Sequence, residues 1–350
     1  MTGETAREHD RNSWWFGAGV VHTGPMATLA SLLDERGTLL GDGAMGTELF
    51  ARGLTAGDPP EMWNLDLPDD IVDIHKGYIK AGADIVLTNS FGGTGYRLEL
   101  HQLAHRVHEL NQAAAERARF AADASDRDVV VAGSMGPTGE LIEPLGSMTA
   151  TQCAAAFEAQ AAGLAAGGVD LLWIETMSSI EEVEAAVSGA RVATDLPITA
   201  TMSFDTAGRT MMGVSGADAA RRLADLGVVA FGANCGNNVA ETEQAVLDLI
   251  EGAADEIPVI VKANAGIPEF KDGRLVYNGT PEVMGAHLQR MVDAGARIVG
   301  GCCGTTTQHI AFMRAVLDGS ISAPDIPAPG PRRTEGDAPD RGPRRRRRRA

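Results

Sequence analysis

The sequence predicts a single-domain (β/α)8 TIM barrel, and three observations carry that prediction. Eight short apolar runs alternate with helix-length segments between Gly37 and Leu317. Most of the runs are β-branched and apolar on both faces, as in parallel strands covered by helices. Polar residues close nearly every run, whereas a doubly wound open sheet would gather them beside one switch point.

Taken in order, the runs are 38–40, 84–87, 129–132, 171–174, 198–202, 228–231, 259–261 and 298–299. They recur roughly every 30 to 45 residues, a spacing that fits one βα unit each. Helical patterns fill the intervals at 68–81, 101–122, 151–166, 179–192, 217–226, 239–254 and 281–294, and a last one begins near Thr307. Gly82, Gly168, Gly227 and Gly295 follow four of these helices, where a left-handed residue closes the last turn. The expected organisation is an N-terminal extension over residues 1–30, the barrel over 31–320, and a Pro/Arg-rich tail over 321–350 expected to be disordered. Trp14-Trp15-Phe16 is an apolar cluster in the extension, and Met26 opens a helical stretch that could mark the natural start. The arginine run 344–349 reads as a solubilising or weakly polyanion-binding tail.

Composition narrows the function classes. The chain has 350 residues, 44% of them apolar and 22% charged, enough for a large core. The net charge is -17 although nine arginines lie between 332 and 349, so the body is acidic and nucleic acid is not the expected partner. No apolar run approaches the roughly 18 residues of a membrane span. The start lacks the charged and apolar regions of a secretory signal. Four cysteines, two of them adjacent, do not form a disulfide framework. A reducing cytoplasm fits, and thiols there read as metal-binding or catalytic. A homo-oligomer is compatible with the sequence.

The chemistry collects at the ends of the runs. Gly300-Gly301-Cys302-Cys303-Gly304-Thr305 closes the eighth, and Asn234-Cys235-Gly236 follows the sixth. Cys302 and Cys303 alone could be small buried apolar residues. With Cys235 at a second strand end they suggest a Zn2+ site of three thiolates with one position open. Three thiolates overbalance the charge of Zn2+, so such a centre suits a fourth, substrate thiolate better than water. A free thiol has a pKa of about 8.5, and the metal would remove its proton and keep a usable nucleophile. Cys153, in an Ala-rich helix, reads as core. Asp42 and Glu175 are single carboxylates on apolar runs, costly inside a barrel unless paired. A substrate ammonium would pair with them; so would an internal salt bridge. The Gly41-Asp42-Gly43-Ala44-Met45-Gly46 turn offers backbone N–H groups to a carboxylate. Lys262 admits a rival chemistry, a Schiff-base lysine, although a structural ion pair is the commoner use.

Several motifs together resemble the zinc-dependent homocysteine S-methyltransferase family. They are Asp42-Gly43-Ala44-Met45-Gly46-Thr47, Thr88-Asn89-Ser90-Phe91, Gly133-Ser134-Met135-Gly136-Pro137-Thr138-Gly139, Ile174-Glu175-Thr176, Asn234-Cys235, Asn264-Ala265-Gly266 and Gly301-Cys302-Cys303-Gly304-Thr305. The match runs from about Gly37 to Leu317 and is most like the bacterial betaine–homocysteine S-methyltransferases. The resemblance implies a (β/α)8 barrel that moves a methyl group to homocysteine, giving methionine. It implies Cys235, Cys302 and Cys303 as Zn2+ ligands. It places Asp42 and Gly43 at the amino-acid group of homocysteine and Glu175 on its ammonium, which makes Asp42 and Glu175 the catalytic candidates. Through the same motifs Ala44, Met45, Asn89, Ser90, Met135 and Asn264 join the expected substrate-binding set. It also weighs against the Schiff-base use of Lys262.

Two functions of different class follow. One is an enzyme that methylates a thiol held by zinc. The other is a homocysteine- and zinc-binding subunit that works only with a partner's methyl carrier. A purely structural zinc would need a fourth protein ligand, and the sequence offers none that convinces. The methyl donor must carry a good leaving group. Betaine and sulfonium donors are small enough to enter a barrel mouth, whereas a corrinoid needs a domain of its own. The expected donor is glycine betaine, with dimethylglycine as co-product and S-methylmethionine or a methylcobalamin-carrying partner protein as alternatives. A quaternary ammonium sits over aromatic faces, and Trp63, Phe91 and Tyr96 are the candidates for that wall.

Overall fold

The computed structural model describes residues 27–327 except 206–207, 237–238, 254–256 and 272–273. The Trp14-Trp15-Phe16 cluster, Met26 and the arginine run 344–349 lie outside the described residues. Ten strands are present among the described residues: β1 (Leu39–Leu40), β2 (Ile85–Leu87), β3 (Val130–Met135), β4 (Leu171–Met177), β5 (Ile198–Met202), β6 (Ala230–Cys235), β7 (Val259–Ala263), β8 (Pro268–Lys271), β9 (Arg274–Tyr277) and β10 (Ile298–Gly301). Eight of them form one parallel sheet in the order β1-β10-β7-β6-β5-β4-β3-β2. A parallel bridge between Gly41 and Ile85 joins the two ends, with Asp84 N–H donating to Leu40 O (2.7 Å) and Asp42 N–H to Ile85 O (3.0 Å). The sheet is thus a barrel closed at its β1–β2 seam, as the sequence predicts.

Helices alternate with the strands and cover the outside. Pro281–Ala294 coincides with the expected segment, begins on a Thr280 cap and ends at Gly295 with φ 111, a conformation costly for any residue with a Cβ. Several expected boundaries move, and two of the shifts have a visible cause. The helix expected over 101–122 starts at Val107, because residues before it form a short 3-10 turn, Ala104–Arg106, with Gln102 at φ 60. The sixth strand starts at Ala230 instead of 228 and runs on through Cys235, since pairing with β5 begins at Thr199 opposite Ala230 and Val229 stays 43% exposed. The β8–β9 hairpin, antiparallel and separate from the barrel sheet, is a feature that the alternation of runs does not foreshadow.

The barrel interior is divided by depth. Leu39, Ile85, Val130, Leu171, Trp173, Ala230, Ile260 and Ile298 form an apolar floor with Leu29, Leu32 and Leu33 of the helix Leu29–Arg36, which stoppers the N-terminal end. Above it the inward positions turn polar: Asp42, Ser134, Glu175, Thr201, Asn234 and Lys262 are all buried. Every second residue of a strand points inward, so the same alternation that builds the floor delivers these groups to the lumen. Among the described residues no helix is long and apolar enough to cross a membrane.

At the seam, Asp84 has no exposed side-chain surface and gathers three arginines. Its Oδ1 accepts from Arg36 and Arg127, each at 2.7 Å, and its Oδ2 accepts from Leu40 N–H (2.8 Å) and from Arg314. Removing the acid would leave three guanidinium groups without their common partner. Asp84→Ala is expected to lower unfolding free energy by about 3–5 kcal/mol. Guanidinium titration checks this, and a loss under about 1 kcal/mol, the scale of exposed pairs, would contradict it.

Candidate metal and substrate site

The register of three neighbouring strands builds the site. Ala263, at the end of β7, lies opposite Cys235 of β6 on one side and Gly301 of β10 on the other. Cys302 and Cys303 follow Gly301 directly, stitched to β7 by Cys302 N–H to Ala263 O (2.8 Å) and by Ala265 N–H to Cys303 O (2.9 Å). The sulfurs of Cys235, Cys302 and Cys303 accordingly lie within 4.8 Å of one another, the one such cluster of candidate metal ligands among the described residues. Cys235 adopts φ 64, a left-handed conformation that costs a non-glycine residue of order 1 kcal/mol or more. Thr242 Oγ1 to Cys235 O (3.1 Å) and Asn264 Nδ2 to Gly236 O (2.7 Å) hold it there.

All three sulfurs have pKa values above the ordinary thiol range. Cys235 is held well above the ordinary thiol range mainly by its hydrogen bond with Cys302. Cys303 is pushed up to about 12, first by its hydrogen bond with Cys235 and then by burial. A cluster of this kind stays protonated until a cation displaces the protons. Three soft donors at one point suit Zn2+. Beside them Asn264 Oδ1 is buried without a hydrogen-bond partner among the described residues, a further oxygen that a bound metal or ligand could satisfy. The residues present therefore fit a metal ion. Cys153 lies apart, buried in the helix Ala150–Ala166, with its thiol pushed up to about 12 by burial.

Below the sulfurs sits a buried charge group. Lys262 Nζ is 2.7 Å from Asp42 Oδ1, while Asp42 Oδ2 accepts from Leu87 N–H at 2.8 Å. Lys262 is therefore an ion-paired lysine, not a free amine awaiting a carbonyl. Its ammonium also stands 5.7 Å from the centre of the Trp173 ring. Glu175 Oε1 accepts from Ser134 Oγ, and its Oε2 lies 3.5 Å from Asn234 Nδ2. Burial raises the pKa of both Asp42 and Glu175 against the pull of Lys262. Two carboxyl groups share one lysine, so the lumen lacks a positive charge on the Glu175 side.

Asn234 links the charge group to the sulfurs. Its Oδ1 accepts from Thr176 N–H (2.8 Å) and Thr201 Oγ1 (2.7 Å), and its Nδ2 donates to Thr176 Oγ1 (2.7 Å) and approaches Cys302 Sγ at 3.9 Å. Thr176, at φ 63, sits where the β4–β5 register shifts between Ile174 and Met177, a local irregularity beside Glu175.

The structure sorts the remaining expected residues. Gly43 is packed so tightly that a Cβ would come 2.7 Å from the Tyr78 ring and 2.9 Å from Thr305 Oγ1. Ala44 N–H is already bonded to Thr305 Oγ1 (3.1 Å), which leaves its neighbours Gly43 and Met45 in the turn. Asn89 spends its side chain on Pro60 O (2.8 Å) and Asn64 Oδ1 (3.2 Å), anchoring the loop before Trp63. Ser90 is fully buried, bonded to Thr88 Oγ1 (2.6 Å) and Ser134 O (2.8 Å). Met135 packs in the core between strands and helices with Val131, Leu164 and Ile174. The side chains of Asn89, Ser90 and Met135 make internal contacts in this structure. Of the aromatic candidates, Phe91 stays on the second βα loop against Gly136, while Tyr96 turns into a groove with Ala104, Val107, Ala155 and Ala159 on the helical exterior and leaves the wall. Ser134, Asn234 and Tyr277 are the residues that motif reading passed over as site groups. Tyr277 covers Gly304, where a Cβ at φ 80 would sit 2.2 Å from its ring.

Comparison with known proteins bears on this geometry. The family model described as homocysteine S-methyltransferase matches residues 39–317. The chain belongs to the homocysteine S-methyltransferase family. It is 34% identical over 304 residues to methionine synthase of Mycobacterium tuberculosis, covering 83% of this chain and 25% of that protein. Methionine synthase of Mycobacterium leprae is 33% identical over 312 residues, covering 84% of this chain and 26% of that protein. The chain therefore spans about a quarter of the length of these relatives. Among solved structures, the metallated form of the Escherichia coli homocysteine methyltransferase MmuM aligns with a TM-score of 0.70 at 28% identity, covering 82% of this chain and 99% of that one.

Asn234 is the hinge between the sulfurs and the carboxylates, so its loss should loosen the metal without touching a ligand. Asn234→Ala is expected to weaken Zn2+ binding about 10–100-fold, measured by competition with a chromophoric chelator. Unchanged affinity would remove Asn234 from the support of the site.

Proposed function

We propose that this chain transfers a methyl group from a small onium donor, with glycine betaine favoured, to the thiolate of homocysteine, yielding methionine and dimethylglycine. The observation that carries the reading is the pairing of a three-thiol cluster with a buried lumen in which Lys262 bonds to Asp42 and not to Glu175. Homocysteine has a thiol at one end and an ammonium at the other, and the two features meet those two groups. Cys235, Cys302 and Cys303 would hold Zn2+, which supplies the acidity that turns a bound thiol into a thiolate at neutral pH. The barrel over residues 31–320 is the catalytic unit in this reading.

The chain's own residues do the rest. Glu175 takes the substrate ammonium, with Ser134 fixing one of its oxygens and Asn234 beside the other. Asp42 supports it through Lys262, which keeps the acid side of the lumen neutralised and the Gly43–Met45 turn in place. The amides of Gly43 and Met45 face the substrate carboxylate. Asn264, beside Cys235, borders the sulfur end. Trp63 and Phe91 on the first two βα loops offer the faces over which a quaternary ammonium sits. The methyl moves as the sulfur lone pair forms the S–C bond and the donor's C–N bond breaks, its electrons returning to nitrogen to leave neutral dimethylglycine nitrogen. The methionine synthase relatives, whose name does not point to betaine, leave room for a second reading in which the donor is S-methylmethionine or a methylcobalamin-carrying partner protein.

The test supplies zinc-loaded protein and homocysteine with glycine betaine, S-methylmethionine or methylcobalamin separately, and follows methionine. Turnover with betaine and formation of dimethylglycine are expected. Turnover with either other donor and none with betaine would overturn the donor and leave the acceptor half standing, and no methionine from any of them would favour the partner-dependent subunit.

A further inference from the structure

The thiol cluster and the Gly43–Met45 turn come from opposite ends of the barrel sequence, and one hydroxyl joins them. Thr305 follows Cys302 and Cys303 in the loop after β10 and is fully buried. Its Oγ1–H donates to Cys302 O (2.6 Å), and the same Oγ1 accepts from Ala44 N–H (3.1 Å). Two further bonds lace the same segments together: Gly301 N–H donates to Asp42 O and Gly304 N–H to Thr47 Oγ1, each at 3.0 Å. The Tyr78 hydroxyl, on the helix Pro68–Lys80, reaches Ala44 O (3.1 Å) and Thr305 O (3.2 Å) and closes the joint from the helical layer. The packing leaves no slack, because a Cβ on Gly43 would come 2.9 Å from Thr305 Oγ1 and one on Gly301 would come 2.3 Å from it. The joint therefore fixes how far the sulfurs stand from the turn.

We propose that Thr305 is a specificity-determining positioning residue: it sets the span between the sulfur site and the turn that faces the substrate carboxylate, and that span selects homocysteine over cysteine. Cysteine carries its thiol one methylene closer to its amino-acid group. With the two sites tied, a cysteine whose sulfur is at the metal cannot bring its carboxylate to the Gly43 and Met45 amides. A missing methylene costs about 10–200-fold in discrimination, and such a cost persists only where the site cannot contract around the smaller group. Without the hydroxyl, Ala44 N–H keeps only its longer approach to Thr305 O (3.3 Å), and the turn is free to shift against the sulfurs. The inference rests on reading the three thiols as metal ligands and the turn as the carboxylate site.

The experiment titrates zinc-loaded protein calorimetrically with homocysteine, cysteine and homocysteamine, which has the thiol and ammonium of homocysteine but no carboxylate. Zinc content is measured before and after each titration. Wild type is expected to bind homocysteine at least about tenfold more tightly than cysteine. Thr305→Val keeps the side-chain shape and removes the hydroxyl. In it the homocysteine Kd is expected to rise about tenfold, with the Kd values of cysteine and homocysteamine within about twofold of wild type and zinc content unchanged. Thr305→Ser, which keeps the hydroxyl, is expected to retain the wild-type preference. If Thr305→Val does not hold zinc, Tyr78→Phe removes the other tie and is expected to weaken homocysteine alone by about threefold. An unchanged homocysteine Kd in the zinc-loaded variant, equal weakening of all three ligands, or a wild type that binds cysteine as tightly as homocysteine would overturn the proposal. A wild type that holds zinc and binds no homocysteine would instead overturn the acceptor reading beneath it.

Discussion

The site depends on the register of three parallel strands. Because Ala263 is opposite both Cys235 and Gly301, the ends of β6 and β10 reach the same height on either side of β7. A slip of one residue would break this alignment and separate the sulfurs. The register is secured far below the site, where Ile260 lies opposite Gly232 and Ile298 in the apolar floor, and at the seam, where Asp84 ties Arg36, Arg127 and Arg314 to β1. The backbone strain at Cys235 and Thr176 persists because this frame and the Asn234 side chain over-determine both positions.

Electrostatics then separates two carboxylates that look alike in sequence. Asp42 and Glu175 are both buried, and both are raised by that burial. Lys262 bonds to Asp42 directly and to Glu175 only through space, so the deficit of positive charge falls on Glu175. A cationic group entering the lumen would be stabilised there and would gain little beside Asp42. At the sulfur end the logic is the reverse. Three thiols crowd one another into the protonated form, and a cation is what stabilises them as thiolates. One small amphoteric molecule with a thiol and an ammonium answers both needs.

Much of this was legible from residues alone, and the failures have physical causes. Strand number follows from eight apolar runs, because a strand buried on both faces leaves a mark that needs no tertiary knowledge. The three cysteines were legible because few roles other than metal binding place thiols at two strand ends. Membership of a motif placed Asn89, Ser90 and Met135 near the site but does not say which way a side chain points. Strand alternation does say so: Val130, Ala132 and Ser134 face inward, which sends Met135 to the helices. Tyr277 was not legible, since its contact with Gly304 spans a hairpin, a helix and a strand and leaves no local pattern.

The chain belongs to the homocysteine S-methyltransferase family, and the proposal is that one homocysteine is gripped at both ends. Zinc-edge X-ray absorption on zinc-loaded protein, before and after adding homocysteine, tests that claim most directly. The account predicts a zinc bound by the three cysteine sulfurs with a lighter ligand alongside, and one more sulfur in its shell once homocysteine is present. An unchanged sulfur count at saturating homocysteine would contradict it, because the thiol would then be bound away from the metal.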